Sequence, residues 1–156
     1  MAQGSPRTPA WKRWRALWIE PISVEMMGEE EKAFIAGRCA TTRLICMPAE
    51  ANAAGDIFGG WIVSQIDIAG AIVAAKRAKG RIVTVALDSV QFHYPVFIGD
   101  VISCFARITK VGRTSITVHV EVYAERHPDC VIRVTEAKAV YVAIDSERRP
   151  RPVPPE

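Results

Sequence analysis

From Gly59 to Lys79 the chain runs without a proline, and apolar residues such as Trp61, Ile62, Ile66, Ile68 and Ile72 fall on nearly every side of the helix that this run would form. A helix that is apolar all round has to be enclosed by other structure. Its ends are marked. Gly59-Gly60 opens it. Lys76, Arg77 and Lys79 stand where the helix dipole favours cations, and Gly80 suits a stop.

After Gly80 the apolar period changes to two. Strands are expected at 82–94, 101–111, 114–125 and 131–144. The third is the clearest: Ile116, Val118, Val120 and Val122 alternate with Thr117, His119, Glu121 and Tyr123. Val111-Gly112-Arg113 reads as a tight hairpin, and His127-Pro128-Asp129 turns into the last strand. The apolar phase slips at Asp88-Ser89, which predicts a bulge. An earlier strand, 38–46 (RCATTRLIC), ends at Met47-Pro48. Short links between the later strands imply an antiparallel sheet. The expected class is α+β, with an antiparallel five-stranded sheet wrapped around one long buried helix. We expect an N-terminal extension over 1–37, the folded domain over 38–145 and a proline-rich, extended tail over 146–156.

Asp56 stands three residues before Gly59-Gly60, in the stretch NAAGDIFGGW. N–H groups at a helix start lack intrahelical partners and carry partial positive charge. Paired glycines let another molecule approach that backbone. A carboxylate beside such donors suits attack on a carbonyl. The bland alternative makes Asp56 a helix N-cap, but that would start the helix before the glycines. Asp67, two turns into the helix, is a rival carboxylate, better explained as an internal hydrogen-bonded residue. Ser64 and Gln65 are candidates to face an acyl group or a second subunit, and neither sits in a GxSxG elbow. His93 reads as a polar residue at the edge of the site; His119 and His127 carry no assigned role.

The net charge is only +3, with much of the surplus at the two ends, so no nucleic-acid partner is expected. Cys39, Cys46, Cys104 and Cys130 form neither CxxC nor zinc spacing and read as small buried hydrophobes in a reducing cytoplasm. No run of 18 apolar residues occurs, so no membrane span is expected. Residues 1–25 hold Trp11, Trp14 and Trp18 within a basic, proline-broken segment. That segment reads as a loosely ordered extension, with a short amphipathic helix touching a membrane or a partner as the alternative.

The stretch MPAEANAAGDIFGGWIVSQIDIAG, followed by HYPVFIGD, the GRTS turn and TEAKAVYVAID, resembles the hot-dog-fold acyl-CoA thioesterases of the YciA-like branch, from about Arg43 to Pro152. The resemblance implies a hot-dog dimer with the active site at the subunit interface, often assembled into a hexamer as a trimer of dimers. It implies hydrolysis of acyl-CoA to a free acid and coenzyme A, without a metal; coenzyme A is part of the substrate rather than a cofactor. It places the catalytic carboxylate on Asp56, a loop asparagine on Asn52, and the helix-start glycines on Gly59 and Gly60, with a backbone N–H near Gly60 or Trp61 polarising the thioester carbonyl. It suggests that Arg113, Thr114 and Ser115, with Arg81, Arg107 or Lys110, bind the coenzyme A phosphates. Glu50, Ala51 and Ala54 depart from the common pattern of Asp, Thr and Asn. Two other readings stay open: a hot-dog dehydratase, which would want a histidine beside its acid, and a non-catalytic acyl-CoA sensor, which would want a DNA-binding domain that 37 residues hardly accommodate.

Overall fold

The computed structural model describes residues 35–126 and 130–155; the tryptophan-rich segment and the turn at His127 lie outside them. Strand β1 (Thr42–Ile45) leads through a single 3-10 turn (Pro48–Glu50) to helix α1 (Gly59–Ala78). Four strands follow: β2 (Ile82–Phe92), β3 (Val101–Val111), β4 (Ser115–Arg126) and β5 (Cys130–Ala143). They form one antiparallel sheet in the order β1-β3-β4-β5-β2.

The expected architecture is present, and the bulge falls where the phase slips: the β2–β5 register shifts between Asp88 and Gln91, with Ser89 at φ 58°. Some expectations need correction. The link from β2 to β3 makes no hairpin. Because β2 pairs with β5 at one edge, residues 93–100 must cross the end of the sheet to reach β3 beside β1. That crossover runs past the start of α1. The first strand is also shorter than the 38–46 run suggests, because the ladder with β3 runs only over Thr42–Ile45.

The helix lies on the inner face of the sheet. Ile62, Ile66, Ala69, Ala74 and Ala78 are buried against Ile116, Val118, Val120 and Val122 of β4 and their neighbours. Small residues let helix and sheet approach closely: a Cβ at Gly70 would fall on the Tyr141 hydroxyl. The helix is not enclosed on every side within one subunit. Ile68 and Ile72 are each 48% exposed, and Val83 and Val85 of the edge strand β2 stand open at 41% and 55%.

At its far end α1 closes through Lys79 rather than Gly80. Lys79 takes the left-handed turn (φ 50°, ψ 45°), and the Gly80 N–H returns to Ala75 O at 3.3 Å. The tail folds back over this end. Arg151 Nη2 donates to Ala78 O (2.7 Å), Arg77 Nη1 donates to Pro154 O (2.7 Å), and Val153 N–H bonds Arg113 O (2.8 Å) while its side chain packs on the core. Cys46, Cys104 and Cys130 are buried; Cys39 is exposed, against expectation. Burial first, then the Asp100 and Glu50 carboxylates, push the Cys46 thiol up to about 12. No helix among the described residues is long and apolar enough to cross a membrane.

Candidate active site

The loop before α1 is shaped by Asn52. Its side-chain Oδ1 accepts the N–H of Ala54 (2.8 Å) and of Asp56 (3.2 Å), its N–H reaches Asp56 O (2.7 Å), and its O accepts the Gly55 N–H (3.0 Å). Asn and Asp favour such local turns because a short side chain mimics the backbone acceptor. Ala51 and Ile57 face each other across an antiparallel bridge, and the Phe58 N–H bonds Glu50 O at 2.9 Å. Ile57 turns into the core, and Asp56 pairs with Phe97 of the crossover.

Asp56 is 9% exposed, and its Oδ2 is buried without a hydrogen-bond partner among the described residues. It does not cap the helix. The N-cap is Phe58, which offers no side-chain cap. A buried, unpartnered carboxylate oxygen costs free energy unless something else meets it. The neighbouring backbone is similarly incomplete. The N–H groups of Trp61 and Ile62 both return to Phe58 O (3.0 and 3.3 Å), whereas those of Gly59 and Gly60 meet no backbone acceptor among the described residues. Trp61 is therefore removed as a donor to a carbonyl, and Gly60 remains.

The two glycines differ. A Cβ on Gly59 would press the Phe92 ring at 3.2 Å, so close packing accounts for it. A Cβ on Gly60 would meet nothing within 4 Å. Packing inside the subunit gives Gly60 no reason to be glycine, and its backbone is open to close approach from outside.

Of the other candidates, the Trp61 side chain is half-buried against the core, and Ser64 turns its hydroxyl back to Trp61 O (2.6 Å), where Gln65 Nε2 bonds it at 3.2 Å. Asp67 lies seven residues past Gly60 along the helix, about 10 Å away. Its Oδ1 accepts the Thr84 hydroxyl (2.8 Å), and Tyr141 donates to Asp67 O (3.0 Å). Burial, then the charge and hydrogen bond of Asp67, push the Tyr141 phenol far above its usual range. Asp67 is thus tied into the helix–sheet packing. His93 sits on the crossover with its N–H on Val134 O and its Nε2 buried without a partner among the described residues.

Arg81, Arg113, Thr114 and Ser115 do not join Asp56. They gather at the opposite end of α1: Ile144 N–H bonds Arg81 O, Ala143 N–H bonds Thr114 O, and the tail covers Arg113 O. Twenty helical residues separate the two groups, about 30 Å within one subunit.

Reasoning from sequence missed the support behind Asp56. Val96 O accepts the Ile57 N–H (2.8 Å), and Asp100 and Arg126 fix the turn that carries Val96. The available signal was Gly99-Asp100 at the foot of a strand, an acid placed where a buried strand begins.

Four likenesses bear on this geometry. Residues 54–131 match the thioesterase superfamily. The acyl-CoA thioester hydrolase YciA of Salmonella typhimurium is 47% identical over 116 residues, 72% of this chain and 87% of the relative. Among solved structures, a hexameric hotdog fold thioesterase of Campylobacter jejuni superposes with a TM-score of 0.70 at 45% identity, over 74% of this chain and 90% of that one. A hexameric broad-specificity acyl-coenzyme A thioesterase, in a form with one aspartate replaced by alanine, gives a TM-score of 0.73 at 43% identity, over 76% and 88%.

Proposed function

We infer that this chain, which belongs to the thioesterase superfamily and stands close to its YciA members, hydrolyses acyl-CoA to a carboxylic acid and coenzyme A. The observation that carries the mechanism is the buried Oδ2 of Asp56, unpartnered among the described residues, four residues before the N–H of Gly60, which meets no backbone acceptor among them. The thioester carbonyl oxygen lies against that N–H. Asp56 takes a proton from a water whose oxygen bonds to the carbonyl carbon. The negative charge that develops on the carbonyl oxygen meets a donor already in place, worth about 3 kcal/mol in the transition state. Collapse breaks the C–S bond, and the leaving thiolate recovers the proton from Asp56. Direct attack by the carboxylate would give the same products through an anhydride; solvent oxygen found in Asp56 after one turnover in heavy-oxygen water would mark that route, with water opening the anhydride at the aspartyl carbonyl.

The same reading calls for a second copy. β2 is a sheet edge with an unpaired backbone ladder, and beside it Ile68, Ile72, Val83 and Val85 are exposed. Edge strands in water invite pairing. A two-fold axis through β2 joins two sheets and sets the two α1 helices antiparallel. The start of one helix then lies beside the end of the other. Arg81 and Arg113, whose guanidinium groups hold no ion pair or hydrogen bond among the described residues, reach the phosphates of a substrate bound at the partner's Asp56. This resolves the separation of about 30 Å within one subunit. The hexameric assembly described for the relatives suits three such dimers. The free thiols of Cys39, Cys46 and Cys104 suit a reducing cytoplasm, where we place the reaction.

The direct test is thiol release from acyl-CoA by the Asp56→Ala variant. It should fold and assemble, and turnover should fall by about two or more orders of magnitude. Near-full activity in that variant, with loss in Asp67→Ala instead, would move the reaction to the rival carboxylate.

A further inference from the structure

Beyond its own loop, Asp56 has one backbone neighbour among the described residues. It bridges Phe97, and the next residue donates to Val96 O at 2.8 Å. The segment that fixes the carboxylate is therefore the crossover from β2 to β3, which has no helix or strand of its own.

Among the described residues, a single ion pair braces this segment. Asp100 is 2% exposed. Its Oδ2 accepts the Phe97 N–H (2.9 Å) and Arg126 Nη2 (2.8 Å), and its Oδ1 accepts Arg126 Nε (2.9 Å). The same Nη2 reaches Pro95 O at 3.3 Å, and the guanidinium lies over the Phe97 ring, 4.4 Å from its centroid. Arg126 is the last residue of β4. Both flanks of Val96 are thereby pinned to the sheet.

We propose that Asp100 and Arg126 are positioning residues, which through Phe97 and Val96 hold the Asp56 carboxylate in register with the N–H of Gly60; this rests on the thioesterase reading above. A buried ion pair is a poor source of net stability, because desolvation offsets the attraction, and apolar residues of similar volume would serve a fold equally well. What the pair supplies is geometry. A planar guanidinium forks onto a carboxylate and stacks on a ring at the same time, which an ammonium does not do. A misplacement near 1 Å can cost about a hundredfold in rate.

The test uses full-length enzyme with butyryl-CoA. It compares Arg126→Lys and Phe97→Leu, alone and in the Asp56→Ala background, at a temperature where thermal melts show every variant folded. Arg126→Lys should lower kcat about tenfold while KM stays within about threefold, with a smaller loss for Phe97→Leu. In the Asp56→Ala background neither change should reduce the residual rate by more than about twofold, since both act through the same carboxylate. A role in stability alone would give equal fractional losses in both backgrounds, and that result overturns the proposal, as does wild-type kcat in both single variants. Should Arg126→Lys not fold, Phe97→Leu carries the test, because it leaves the ion pair whole. If Asp56→Ala itself keeps full turnover, the thioesterase assignment of Asp56 has failed; if it is inactive while Arg126→Lys and Phe97→Leu are unimpaired, only the brace has failed.

Discussion

The two ends of α1 are built to opposite standards. At the far end, Lys79 supplies the left-handed turn, Gly80 returns to Ala75 O, and Arg151 closes on Ala78 O. At the near end no side chain caps the helix, the N–H groups of Gly59 and Gly60 have no backbone acceptor among the described residues, and a buried carboxylate oxygen has no partner. The energetic rule is the same at both ends: buried polar groups need partners. A helix end that a fold leaves incomplete, while finishing the other with a guanidinium from the tail, is the end that expects a ligand. The polar groups withheld from folding are those available to a transition state.

The comparison breaks most completely if the near end works without a second copy. Val85→Lys with Ile72→Glu places charges on the exposed strand and helix face. Sedimentation should show monomer, and turnover should fall by about a hundredfold or more, because the far end of a partner no longer reaches the site. An active monomer would show that each subunit holds a complete site, and the phosphate role of Arg81 and Arg113 would go with it.

A smaller effect separates the two glycines. Gly60→Ala adds a methyl group that touches nothing in the subunit, so its melting temperature should stay within a few degrees of wild type. In the proposed mechanism the same methyl group stands where the thioester approaches, and turnover should drop about tenfold, the scale of a modest misplacement of the reacting group. Gly70→Ala reverses the pattern. Its Cβ runs into the Tyr141 hydroxyl, so stability should fall by about 1–3 kcal/mol, with activity preserved in the folded fraction. If Gly60→Ala destabilises the fold and leaves turnover intact, Gly60 is a packing residue and the open space beside it means nothing for catalysis.

How far the sequence could be read follows from which forces are local. The helix, the strands and the bulge at Ser89 are legible because periodicity and breakers act over a few residues. Asp56 and the glycines are legible because a helix start has a fixed chemistry. The crossover was not, because β2 and β3 look like any two consecutive strands until β5 takes the edge of β2. Asp100 and Arg126 are 26 residues apart, and neither looks unusual alone. What covers the open face of α1 was not legible for a related reason: an apolar surface has the same composition whether its cover comes from the same chain or from a second copy.

The finished end gives the smallest effect on turnover and the cleanest contrast. Arg151 donates Nη2 to Ala78 O, Nε to Ile144 O at 3.2 Å and Nη1 to Pro152 O at 3.3 Å. Its donors are engaged inside the subunit, so it is poorly placed to take a phosphate as well, unlike Arg81 and Arg113 nearby. Arg151→Ala leaves the last helical carbonyls to water and loosens the tail that seals Val153 onto the core. Hydrogen bonds from a charged donor contribute about 1.5–3 kcal/mol where water is excluded, and this residue is partly exposed, so the lower part of that range applies. Melting should fall by roughly 2–6 °C for a chain of this size. Turnover and KM of the folded enzyme should match wild type, as read by thiol release well below the melting transition. Loss of kcat without loss of stability would mean that the far end also takes part in the reaction, and the division of labour between the two ends of α1 would have to be abandoned.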